Sequence, residues 1–149
     1  MPFAGYDPAN NPLNMNEWAF PVTEVFHILG FALLIGTIML VDLRLLGFGL
    51  KRQSTADVVR DMAPWTMLGL VVVLISGPLI FSSDPGLYVY NQSFRFKITM
   101  LILAIIYNWT IHRKVAMSPS PGGAGVLVGG ISILMWTSII FAGIFIAFV

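Results

Sequence analysis

The fold class this sequence predicts is all-α: an integral membrane four-helix bundle with both termini outside. Three observations predict it. The chain of 149 residues is 57% hydrophobic and only 10% charged, where a soluble domain carries roughly 25% charged residues. Its mean hydropathy is +0.85. Its apolar residues also gather into four stretches, each near the ~20 residues needed to cross a ~30 Å hydrocarbon layer. Open sheet edges are not viable in lipid, so the stretches are read as helices, all within one domain, 1–149.

Residues 1–18 form a polar outer tail with Pro2, Pro8, Pro12 and four asparagines. The tail lacks the basic start and short apolar core of a cleaved signal peptide, so the first apolar segment is expected to remain as a span. Segment one runs from about Pro21 to Leu46, and a first-turn proline has no N–H to lose. Segment two runs from about Ala63 to Phe81, with Asp61 as cap, Pro64 in its first turn, and a kink expected at Gly77-Pro78. Segment three runs from about Phe94 to Ile111, and segment four from about Gly125 to Val149.

Between segments one and two, Ser54 could cap a brief surface helix. Asp84-Pro85-Gly86 marks a turn in the second connection, and Ser118-Pro119-Ser120-Pro121-Gly122-Gly123 breaks the third. The pairs Ala32/Gly36 and Gly125/Gly129 have the spacing that permits close helix approach.

Charge and cysteine content exclude several function classes. A net charge of +1 offers no basic field for nucleic acid, and zero cysteines remove disulfides and thiolate metal sites. Haem attached through Cys-x-x-Cys-His is excluded on the same ground. No Walker sequence or Gly-rich nucleotide loop is present. Basic residues set the orientation. Arg44, Lys51, Arg52, Arg60, Arg113 and Lys114 flank loops one and three, whereas only Arg95 and Lys97 lie on the other side. The positive-inside rule then places loops one and three in the cytoplasm and both termini outside.

From Val25 to Val41, His27 is the only ionisable residue. Such a residue at membrane depth is a functional hypothesis by default, and a neutral imidazole can ligate haem iron. His27 sits ~9 Å below the outer end of its helix, and His112 ends helix three ~27 Å along. One iron cannot use both. A haem b with propionates toward the outer water would take His27 as its axial ligand and Arg95 and Lys97 as propionate partners. Glu24 shares a face with His27 and would orient the imidazole or carry protons.

Plainer readings stand beside these. His27 could simply bond Thr99, Ser76 or a backbone carbonyl, and Arg95 and Lys97 could snorkel to the interface. His112 with Arg113 and Lys114 reads as a solvated helix end. Asn108 reads as interhelical glue. Asp42 and Arg44 mark the inner interface, where Asp42 could pair with a basic residue of loop one or three. Trp136 falls near mid-membrane, where its indole needs a place inside the bundle. The single Glu24-x-x-His27 is half of what a di-iron bundle needs, and the eight scattered methionines do not make a copper site.

The strings Trp18-x-Phe20-Pro21-x-x-Glu24-x-x-His27, Asp42-Leu43-Arg44-Leu45-Leu46-Gly47 and Phe94-Arg95-Phe96-Lys97, with Asn108 and His112, resemble an uncharacterised bacterial family of small four-helix membrane proteins. More distantly, the layout is similar to the membrane domain of copper-resistance protein D and to the four-helix protoporphyrinogen oxidase that binds haem b. The latter resemblance implies an essential histidine on the first helix and a lysine at the start of the third, positions that His27 and Lys97 occupy. The function expected is a haem b-binding, cytochrome-like redox subunit in electron transport between quinone and a partner protein. The alternative is a non-enzymatic accessory subunit packed on other membrane-protein subunits, or a homo-oligomer, within the lipid bilayer.

Overall fold

The computed structural model describes residues 3, 5–49 and 52–148. Of the residues named above, Pro2, Lys51 and Val149 lie outside these. Four helices are long and apolar enough to cross a membrane: α1, Ala19–Leu45; α2, Thr55–Ser83; α3, Gln92–Ala116; and α4, Gly122–Phe145. No strand occurs among the described residues. Helix α1 is central. It packs along α2 and against α4, α4 packs on α3, and α2 meets α3 chiefly through residues 113–116. Leu34 and Ile38 of α1, Leu70 of α2, Leu101 of α3, and Trp136 and Ile139 of α4 form the core. Trp136 is 2% exposed, inside the bundle as its depth requires.

The string Asp42-Leu43-Arg44-Leu45-Leu46-Gly47 is the stop of α1. Gly47 takes a left-handed φ of +84°. Its N–H donates to Arg44 O and the Phe48 N–H donates to Leu43 O, the paired bonds of a Schellman end. Arg44 Nε then donates to the Gln53 carbonyl at 2.9 Å and closes the loop.

Helix α2 differs from expectation at its start. The surface helix and segment two are one helix from Thr55, capped by Ser54, whose Oγ accepts the Asp57 N–H at 3.1 Å. Asp61 and Pro64 therefore lie within the helix. Packing extends it: Val58 and Val59 are buried against Val41, Leu45 and Ala116, which holds those first turns in helical form. Gly30 and Gly69 set the closest approach of α1 and α2. A Cβ on Gly69 would lie 2.6 Å from Leu34 N. Gly36 has nothing within 4 Å of such a Cβ, so the pair Ala32/Gly36 is not a packing seam. Gly125 and Gly129 do pack closely, both on Leu45 of α1.

The tail residues cover the end of α2. Asn11 Nδ2 donates to Ser82 O at 2.8 Å and Asn14 Nδ2 to Ser83 O at 2.8 Å. Tyr6 Oη also donates to Ser82 O. These donors satisfy carbonyls that a helix C-terminus leaves without partners.

Candidate functional site

Among the described residues two polar clusters contain a histidine, one at the end where α1 begins and one at the end bearing Arg44, Arg60 and Arg113. In the first, His27 Nδ1 is 2.8 Å from Ser76 Oγ. Ser76 has a single hydroxyl proton, which it donates to Val72 O at 2.6 Å. Ser76 therefore accepts from His27, and the imidazole proton sits on Nδ1. Nε2 is left with its lone pair. The ring also stacks on Phe31, centroids 6.3 Å apart and planes 11° apart. Lys97 of α3 reaches the same phenyl ring, with Nζ 5.3 Å from its centroid. A Cβ on Gly143 would lie 3.3 Å from that Nζ, so glycine makes room for the lysine.

The structure brings together His27 and Lys97 but not the whole expected set. Arg95 is exposed. Glu24 is exposed too, and no described hydrogen bond joins it to His27; Ser76 holds the imidazole instead. That outcome matches one of the plainer partners read from the sequence. Neither described cavity is lined by His27 or Lys97.

The second cluster corrects the reading of His112. Rather than a solvated helix end, His112 is 4% exposed and Asp42 is 1% exposed. Asp42 Oδ1 lies 2.5 Å from His112 Nε2. Ser132 Oγ of α4, 1% exposed, donates to Asp42 Oδ2 at 2.8 Å. Asp42 is thus bound by helices three and four, not by a basic residue of loop one or three. The cause is local backbone geometry. Residues Asn108–His112 form a π-helical turn, whose extra residue shifts the phase of the helix. His112 turns inward while Arg113 and Lys114 stay exposed.

A buried carboxylate is tolerated only when its oxygens are bonded, and here both are. Ser132 donates to the carboxylate and not to the imidazole, so this is no nucleophile–base pair. Among the described residues, no three His, Cys, Asp or Glu side chains converge to hold a metal ion. Sequence reading overlooked this cluster, although one signal was present: Asp42 follows a long apolar run and falls at the same end as His112.

A protein-family profile described as a family of unknown function, DUF6644, matches residues 19–149. The chain belongs to that family. The matched span contains all four helices and both clusters, in keeping with the expected uncharacterised family. No curated protein and no solved structure matches the chain. The more distant resemblances to copper-resistance protein D and to the protoporphyrinogen oxidase are therefore not supported by these comparisons.

Proposed function

We propose that this protein is a small haem b-binding redox subunit of a bacterial inner membrane, with loops one and three cytoplasmic. The observation that carries the reading is the His27–Ser76–Val72 chain of hydrogen bonds. A ligating imidazole characteristically donates its other N–H to a fixed acceptor, which sets ring orientation and tautomer. Ser76 does this for Nδ1 and leaves Nε2 as the donor atom for iron.

The donor chemistry would suit haem with His27 holding the iron and Lys97 as the cation for a propionate. Arg95, exposed on the first turn of α3, and Glu24, exposed one turn before His27, are the further residues that would serve a propionate and a proton at that end. Haem, when bound, supplies one-electron chemistry. The chain's own part is to orient the imidazole, to present Lys97 beside it, and to keep the surroundings apolar, which tunes the iron.

An optical spectrum of freshly purified protein tests this. A Soret band lost in His27→Ala and retained in His112→Ala supports the proposal. A protein without the band in native membranes, or a band indifferent to His27→Ala, overturns it.

The accessory-subunit reading draws on a different observation. Helix α3 is the least buried of the four, and Ile98, Ile102 and Ile106 lie exposed along it. Another subunit could cover that face in place of lipid. Native mass measurement from membranes would then show one larger complex, stable without haem.

A further inference from the structure

The π turn of α3 does more than bury His112, because a cavity of about 70 Å³ lies beside it. At ~10–15 Å³ per water that is room for about five waters, enough for the polar edge of a ring whose remainder lies at the cavity mouth. Ile38 and Val41 of α1 and Val59 and Met62 of α2 make its apolar walls. Asn108, Trp109 and His112 of the π turn bring polar and aromatic groups, and Thr66 of α2 adds a hydroxyl. Met67, 46% exposed, and the exposed Arg113 also line it, so the cavity has a rim at the bundle surface between α2 and α3.

One atom here is unexplained by the fold. Asn108 Oδ1 is buried and has no hydrogen-bond partner, the only such side-chain atom among the described residues. Leaving a buried acceptor unsatisfied costs about 1–3 kcal/mol, and native structures rarely tolerate it without a purpose. The amide torsion of asparagine is soft, so either edge can turn toward the cavity. His112 adds a second polar group whose orientation is fixed, because Asp42 holds its Nε2 and Nδ1 remains.

We infer that this cavity binds the head group of a membrane quinone. The chemistry is specific to a ring that changes between two hydrogen-bonding states. A quinone carbonyl accepts from the Asn108 amide N–H, whereas a quinol hydroxyl donates to its oxygen, so one side chain serves both. The apolar walls and Trp109 take the ring, and a rim at the bilayer surface lets an isoprenoid tail remain in lipid. The inference deepens the redox reading above and rests on it for the use to which a quinone is put. Binding itself requires neither haem nor His27.

The test is equilibrium binding of a short-chain ubiquinone to the whole protein in lipid nanodiscs, read by quenching of intrinsic tryptophan fluorescence and by thermal stabilisation. Saturable quenching and a raised Tm are expected. Asn108→Ala should weaken binding about tenfold, the loss of one hydrogen bond, and Trp109→Phe should remove the saturable quenching while leaving the Tm shift. His27→Ala should change neither readout, which separates this site from the proposed haem site. Quenching that stays linear in quinone overturns the inference. So does an unaltered affinity in Asn108→Ala, or an equal Tm shift from an isoprenoid alcohol that lacks the ring. A cavity that holds water alone would give the first of these results.

Discussion

Asp42 on α1 and His112 on α3 meet at 2.5 Å with both side chains almost wholly buried, joining the two helices at the end opposite the Lys97–Phe31 contact. Ser132 ties α4 to the same carboxylate at 2.8 Å. One side chain from each of three helices thus converges at one level of the bundle, and Gly129 of α4 lets its helix approach Asp42 closely.

Breaking that clasp from one side is expected to be severe. Asp42→Ala leaves an imidazole and a hydroxyl buried without their acceptor, and loss of one partner of a buried pair costs about 3–5 kcal/mol. The double variant Asp42→Ala/His112→Ala should cost less than the sum of the single variants. Unfolding titrations in detergent micelles measure this. Additivity within about 0.5 kcal/mol would show the two residues to be independent.

Glycine substitutions should separate contact from mere presence. Gly69→Ala forces a Cβ to 2.6 Å from backbone of α1, an overpacking expected to cost about 1–3 kcal/mol. Gly36→Ala meets nothing within 4 Å and should be neutral, or stabilising by up to about 1 kcal/mol through helix propensity. Gly47→Ala places a side chain at φ +84°, a left-handed conformation costing about 1–2 kcal/mol. Tm shifts in the order Gly69, Gly47, Gly36 are expected, and an equal loss at Gly36 and Gly69 would contradict the close approach of α1 and α2.

Ser76→Ala tests the tautomer of His27 without touching the ring. Once its acceptor is removed, Nδ1–H is unanchored and ligand affinity should fall about 10–100-fold. Haem retained per protein through purification is the readout. Ser76→Thr, which keeps a hydroxyl, should restore most of it, and full retention in Ser76→Ala would mean that the serine has no orienting role.

The sequence alone determined the number of spans, their approximate limits and the polar groups worth watching, because those follow from length, hydropathy and the rarity of charge in apolar runs. His27 stood out for that reason, and its bond to Ser76 was among the partners foreseen. Helical spacing and shared depth put Arg95 and Glu24 near its level but do not fix the direction in which a side chain leaves a helix, and both are exposed. The junction of the surface helix with α2 was hidden as well, since Asp61 and Pro64 carry the local signature of a start. Only burial of Val58 and Val59 overrides it.

Tertiary structure alone decided the Asp42–His112–Ser132 cluster. Its members are 70 and 90 residues apart in the chain, and His112 reaches the interior through a π turn that no periodicity of 3.6 anticipates. Hydropathy says which segments leave water. Which of their polar atoms meet is settled by helix phase and packing, which arise only when the segments come together.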